Sequence, residues 1–397
     1  NVGEEEIIEN IDIGGPSMVR AGAKNYKYVV VIVKPEMYGE LEEEMERNNG
    51  KVSLEFSKKC AYEAFKLTSF YDSLICSYFE EKVKMEKMPE QMYLKLIKVN
   101  DLRYGENPHQ QSAFYRFHNK KFLREKIQGK ELSFNNLIDA ESTYILVNQF
   151  EKPCCVITKH TNPCGVATSD DILNAYRLAL KTDPMSAFGG ILGFNRTVDE
   201  EVAEEIIKRF YEVIIAPDYS KKAIEIFRKK ENLRVIKAPE KPTFKYDFKS
   251  LNDGFLVQTP DDKEFEKFEV VTEKKPSKDE IEALKFNWKV CKFVKSNAIV
   301  IGTKNHTLGI GAGQMSRYDS VRIAVMKMKD NFKEDIKPVV MASDAFFPFP
   351  DSIEIAKDYG ITAIIQPGGS LKDKEVIETC NKYGISMVFT GMRHFRH

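Results

Sequence analysis

From about residue 94 to the C-terminus, short apolar runs alternate with longer segments whose apolar residues recur at helical spacing. This alternation admits few folds, because each strand needs a helix to cover it, and it reads as a layered α/β architecture. Strands are expected at Tyr93 to Val99, Cys154 to Thr158, Ile191 to Phe194, Val213 to Ala216, 298–302, 338–342, 361–365 and 385–389. Helices are expected at Asp139 to Phe150, Asp170 to Thr182, Glu200 to Phe210, 316–329, 351–359 and 371–383. Ser277 and Glu280 form a capping box that opens a further helix, running to about Val294. The stretch 238–280 is polar, Lys-rich and punctuated by prolines, so it reads as a surface connection between two α/β halves. Whether the halves are related is not visible in the sequence, and there is no short-period repeat.

The first ninety residues have a different texture. Residues 26–33 (YKYVVVIV) read as a buried strand stopped by Lys34-Pro35, followed by a Glu-rich helix over 36–48. A long helix is expected from Ser53 to Phe79, with Leu54, Cys60, Ala61, Ala64, Phe65, Phe70 and Leu74 at helical spacing. Residues 80–92 are charged and contain Pro89, which suits a domain linker or an exposed hairpin. The expected domains are therefore 1–92, 93–250 and 251–397. The first residue is Asn and the opening is acidic, so this reads as a fragment or a processed chain.

Sixty cations are balanced by sixty anions, which argues against a polyanion-binding face and hence against a nucleic-acid partner. A local basic pocket is still allowed. The seven cysteines are scattered without zinc-ligand spacing, and an intracellular, cytoplasmic, reduced chain is expected. The longest apolar run, Tyr28 to Val33, is too short to span a bilayer, and no membrane partner is expected.

Five motifs could carry chemistry. Lys159-His160 ends an expected strand, where open α/β sheets place ligands. The pair suits proton traffic, or is a solvated Lys beside a capping His. Leu102 to Gln110 (LRYGENPHQ) offers a forking Arg103 and a stacking Tyr104, or is simply a polar turn. Gly309 to Gln314 (GIGAGQ) lacks dinucleotide-fingerprint spacing and reads as a tight bend. Ser343 to Asp351 (SDAFFPFPD) would make a rigid aromatic wall beside a carboxylate, or a core-lining loop. The tail, Arg393 to His397, packs cations and an aromatic ring into a chain end that would ordinarily fray.

Taken together in this order, LRYGENPHQ, LSFNNLIDA, TKHTNPCGVA, DPMSAFGGI, EVIIAP, KSNAIV, GIGAGQMSR, SDAFFPFPDS and RHFRH closely resemble the family of bifunctional purine-biosynthesis proteins that combine AICAR transformylase with IMP cyclohydrolase. The resemblance covers residues 102–397, and Ile11 to Pro16 with Ala23-Lys24-Asn25 resemble the closing part of the cyclohydrolase domain. It implies a transformylase region of two cytidine-deaminase-like halves preceded by a partial α/β cyclohydrolase domain. The zinc signature of that fold is absent, since no C-x-x-C follows Pro163-Cys164, and no metal is expected. The implied reaction is formyl transfer from 10-formyltetrahydrofolate to the 5-amine of AICAR, giving FAICAR.

The implied roles are these: His160 as base, Lys159 as proton donor or charge stabiliser, and Asn297 steadying the formyl oxygen. Arg103, Tyr104, Asn136, Gly189, Arg393 and His397 would hold AICAR; Phe347, Phe349 and Asp351 would line the folate side. Asp12 and Lys24 match cyclohydrolase residues whose phosphate-binding partners are missing, so that step is expected to be impaired here. The resemblance also implies a homodimer with shared sites.

Overall fold

The computed structural model describes residues 2–83, 88–118 and 124–397. They form two compact units. One runs to Ile97 and takes back a short piece from Arg116; the other holds Lys98–Tyr115 and the later chain to His397.

The first unit is helical: α1 (Glu4–Glu9), α2 (Gly14–Lys24), α3 (Tyr38–Arg47) and the long α4 (Leu54–Val83). The strand expected at 26–33 does not form. Its extended part still alternates as a strand would. Val31 and Val33 pack with Ala23, Ala61 and Ala64, while Val30 and Ile32 pack with Met37, Phe56 and Cys60. Among the described residues no neighbouring strand meets its backbone, so two helical clusters divide its side chains and no ladder forms. The helix expected to end at Phe79 continues to Val83; residues 84–87 of the expected linker lie outside the described residues.

The strands β1 (Leu96–Leu102) and β2 (Ser112–Phe117) begin the β-structure, with all but their residues to Ile97 and from Arg116 in the second unit. A first six-stranded sheet contains β3 (Glu125–Gln128), β4 (Cys154–Lys159), β5 (Asn162–Thr168), β6 (Ile191–Phe194), β7 (Val213–Ala216) and β8 (Arg234–Lys237). Its order is β3-β8-β7-β6-β4-β5. The hairpin β9 (Asp247–Leu251) and β10 (Gly254–Gln258) lies in the expected surface connection. A second six-stranded sheet contains β11 (Glu269–Val270), β12 (Ile299–Gly302), β13 (Thr307–Gly311), β14 (Val339–Ser343), β15 (Ile361–Gln366) and β16 (Ser386–Phe389), in the order β11-β16-β15-β14-β12-β13.

The two orders are the same, and so is every strand direction. Three consecutive strands are parallel in each sheet, and the remaining pairings are antiparallel. The helices match as well: α5 (Phe134–Val147), α6 (Ile172–Thr182), α7 (Glu200–Ile206) and α8 (Lys221–Phe227) recur as α9 (Lys278–Cys291), α10 (Arg317–Asn331), α11 (Asp351–Asp358) and α12 (Asp373–Tyr383). Even the caps correspond, since Ser133 with Asn136 and Ser277 with Glu280 each close a capping box. The unit is a duplicated fold, which the sequence did not disclose.

The sheets meet edge to edge. Thr307 Oγ1 on β13 accepts from Val166 N on β5 at 3.0 Å, and Thr182 Oγ1 donates to Thr307 O at 2.7 Å. Both edge strands were missed in the sequence because glycine breaks their apolar pattern. A Cβ on Gly165 would lie 1.9 Å from Ala179 O; on Gly309, 2.0 Å from Ala324 O; on Gly311, 1.9 Å from Ser320 O. These glycines let α6 and α10 press onto the strands. The GIGAGQ run is thus largely strand, and only Gly313, at φ 65°, turns.

Candidate functional site

The strand β4 ends at Lys159, and the chain reverses into β5 through His160 and Thr161. Their φ values are 51° and 64°; among the described residues only Asn49 joins them as a non-glycine at positive φ. Left-handed backbone costs about 1–2 kcal/mol for each such residue, so the turn must be held from outside. Thr161 N donates to Asp139 Oδ1 on α5 at 2.7 Å. Asn162 Nδ2 donates to His160 O at 3.3 Å, and Asn162 Oδ1 accepts from Lys295 N at 2.9 Å. Held this way, His160 is exposed and Lys159 half-buried.

The Lys159 ammonium donates to Phe188 O at 2.9 Å and to Gly189 O at 3.1 Å. Gly189 sits at φ 66°, and a Cβ there would stand 3.2 Å from Lys159 Nζ. The glycine therefore supplies both the backbone conformation and the room beside the amine.

The second half adds the loop before β12. Ser296 N donates to Arg396 O at 2.9 Å, Arg396 N donates to Ser296 Oγ at 3.1 Å, and the Arg396 guanidinium reaches Ser142 Oγ on α5 at 3.5 Å. Helix, hairpin turn, loop and tail are thus joined in a ring of hydrogen bonds that passes through Thr161 and Asn162, directly after Lys159-His160. Behind the loop lies a buried ion pair between Arg317 and Asp344. Arg317 also donates to Asn297 Oδ1 and Ser343 Oγ, each at 2.8 Å, and Ala298 N donates to Asp344 Oδ1 at 3.1 Å.

The remaining expected residues are placed unevenly. Asn297 donates both amide hydrogens, to Gln314 O at 2.9 Å and Met315 O at 3.0 Å, and its oxygen accepts from Arg317. Its side chain is engaged in shaping the loop. Asn136 is buried in the cap of α5, with Oδ1 accepting from Ser133 N. Arg103 is exposed with its guanidinium 5.3 Å from the Tyr104 ring; this loop is tied to α5 where Asn135 Nδ2 donates to Glu106 O.

The tail does not fray. His394 is buried between Asp261 and Glu264 O, at 2.6 and 2.9 Å, while exposed Arg393 stacks over Phe395 at 4.7 Å and His397 is exposed. Phe347 is completely buried in the core of the second half, so its ring does not face a ligand; it takes the core-lining alternative. Phe349 is exposed, and Asp351 begins α11. Asp12 and Lys24 stand at opposite ends of α2, where Gly15 N donates to Asp12 Oδ1 at 2.9 Å.

Sequence reasoning missed Asp139, Asn162, Arg317, Asp344 and Arg396 as working residues. All five lie inside the quoted motifs, but only the fold brings their hydrogen-bonding groups together. Burial pushes the Asp139 carboxyl above the usual range, against the backbone hydrogen bond from Thr161 and the charges of His160 and Lys159.

Among the described residues no three His, Cys, Asp or Glu side chains cluster as a metal site, and no helix is long and apolar enough to cross a membrane. The family described as AICARFT/IMPCHase bienzyme matches residues 22–327. The bifunctional purine biosynthesis protein PurH of Caldicellulosiruptor saccharolyticus is 48% identical over 406 residues, covering 100% of this chain and 78% of the relative. The protein of the same name from Persephonella marina is 49% identical over 402 residues, covering 99% and 78%; that of Thermoanaerobacter sp. strain X514 is 49% identical over 402 residues, covering 100% and 78%.

Proposed function

The chain belongs to the AICARFT/IMPCHase bienzyme family, and on that premise we propose that it transfers the formyl group of 10-formyltetrahydrofolate to the 5-amine of AICAR in purine biosynthesis. The observation that carries this reading is the left-handed turn that presents His160 beside a Lys159 anchored on Phe188 O and Gly189 O. The AICAR amine is a weak nucleophile because its ring withdraws electrons. His160 takes its proton as it attacks the formyl carbon. A lysine ammonium has three hydrogens; Lys159 spends two on carbonyls, and the third meets the charge developing on the tetrahedral intermediate. Collapse breaks the bond to N10 of the folate, which leaves as a neutral amine by taking a proton from Lys159, and the proton held by His160 restores Lys159; no metal is required.

Arg103, Tyr104 and Arg393 hold AICAR, with Asn136, Gly189 and His397 near it, and Phe349 and Asp351 line the folate side. We also infer, from the family resemblance, a homodimer whose sites are shared. Residues 93–250 and 251–397 act as the two transformylase halves, of the cytidine-deaminase type, and 1–92 as a partial cyclohydrolase domain, in a cytoplasmic protein. Closure of FAICAR to IMP is expected to be impaired in this chain, where Asp12 precedes α2 and Lys24 ends it.

The test follows tetrahydrofolate formation by absorbance with AICAR and 10-formyltetrahydrofolate. AICAR-dependent release is the expected result; release that ignores AICAR, or none, overturns the reading.

A further inference from the structure

We infer that Asp139 is a positioning residue for formyl transfer: its carboxylate both holds the Lys159–Thr161 turn in its left-handed conformation and supplies the negative charge that His160 needs as it takes up a proton. This rests on the assignment of His160 and Lys159 above.

The geometry comes first. Asp139 lies on α5, a rigid helix fixed by its capping box, and accepts from Thr161 N at 2.7 Å. That N–H belongs to the second of two consecutive left-handed residues. With the bond gone, the turn would relax toward the ordinary right-handed or extended regions and rotate His160 away. The charged groups acting on the Asp139 carboxyl are His160 and Lys159, both cationic when protonated. A carboxylate that orients and charge-matches a base through a fixed third element is the arrangement by which a weak nucleophile is activated.

The duplicated half supplies an internal comparison. There the corresponding hairpin turn, between β12 and β13, is also tied to its helix, but by a neutral amide. Asn287 on α9 is buried and donates to Thr303 O at 2.9 Å. That turn holds a half-buried His306, not an exposed one. Counted from the two capping boxes, Asn287 matches Thr143 and the place of Asp139 is taken by Ala283, so the second half fastens its hairpin from another position and without a charge. In the first half a half-buried carboxyl is used instead, and burial works against its ionised form. A folded-state pKa above the unfolded value means that ionised Asp139 lowers stability, and the loss is complete above the folded pKa. When ionised, the carboxyl therefore adds no stability through its charge, and the groups that charge acts on are His160 and Lys159.

The experiment uses Asp139→Asn, which keeps an acceptor for Thr161 N and removes only the charge, and Asp139→Ala, which removes both. For Asp139→Asn we expect thermal stability at pH 7 equal to wild type or higher, and AICAR affinity within about threefold. Turnover should fall on the order of tenfold, and the acidic limb of the kcat/KM profile should move to lower pH by about one unit, a tenfold shift in the ionisation. The sign follows because loss of the nearby negative charge disfavours the imidazolium.

Asp139→Ala should lose more turnover with the same displaced limb. Adding Thr161→Gly to it should restore part of the rate, since glycine adopts the left-handed turn unaided, without restoring the limb. An unmoved limb in Asp139→Asn, or wild-type turnover in both single variants, overturns the inference. Should Asp139→Asn fail to fold, the double variant tests the same point: a limb at the wild-type position refutes the charge role, and a displaced limb supports it. If the wild-type chain shows no AICAR-dependent transfer at all, the functional assignment fails and not this one alone.

Discussion

Replacing Gly189 by alanine isolates one contact of the site. The residue sits at φ 66°, where an L side chain costs about 1–2 kcal/mol. Its new Cβ would stand 3.2 Å from Lys159 Nζ and 3.3 Å from the Phe210 ring. The ring can give by a few tenths of an ångström. The ammonium can give only by loosening its bonds to Phe188 O at 2.9 Å and Gly189 O at 3.1 Å. Weakening one such charged hydrogen bond costs about 1.5 kcal/mol, which in a barrier is roughly tenfold in rate. Gly189→Ala should therefore lower the unfolding free energy by about 1–2 kcal/mol in urea titration, from the backbone cost, and lower kcat/KM for AICAR by about tenfold, from the displaced amine.

The two effects separate in a double-mutant cycle with Lys159→Ala. In that background the stability loss should persist, because it belongs to the backbone. The rate effect should vanish, because there is no ammonium left to displace. Equal rate losses in both backgrounds would refute the reasoning, since the methyl group would then be acting on something other than Lys159.

Other outcomes follow from the same structure. Lys159→Ala and His160→Ala should each lower turnover by about 100- to 10,000-fold, with AICAR binding far less affected in calorimetry, and the double variant should be little worse than the poorer single. Arg317→Met leaves Asp344 buried without its partner, and should cost about 3–5 kcal/mol in denaturant unfolding. Burial, aided by the charge of Lys181, pushes His306 down to about 4, so the folded chain binds a proton there less readily than the unfolded one. Stability should consequently fall as pH drops from about 6.5 toward 4, by at most about 3 kcal/mol from this group, and His306→Gln should flatten that slope. Sedimentation should show a dimer, and supplied FAICAR should yield little IMP; a fully active monomer or efficient closure would contradict these two expectations.

The sequence by itself determined the layered α/β class, because a strand's apolar run and a helix's periodicity are local patterns that survive without tertiary context. The capping box at Ser277 and Glu280 and the strands at 339–343, 361–366 and 386–389 were legible for that reason. That Lys159-His160 ends a strand was legible because a motif is also local. Tertiary structure alone decided the rest. Strands β5 and β13 exist because helices press on Gly165, Gly309 and Gly311, and a missing side chain leaves no apolar signal to read. Residues 26–33 have strand composition but no strand, because strand formation needs a neighbour's hydrogen bonds, and packing against two helical clusters took its place. Phe347 and Phe349 look alike in the sequence, yet one is in the core and the other faces solvent. The duplication appeared only when the strand orders could be compared, since topology persists after side chains have diverged. Asp139 gained its place at the turn from a hydrogen bond spanning 22 residues, a relation that only the folded chain creates.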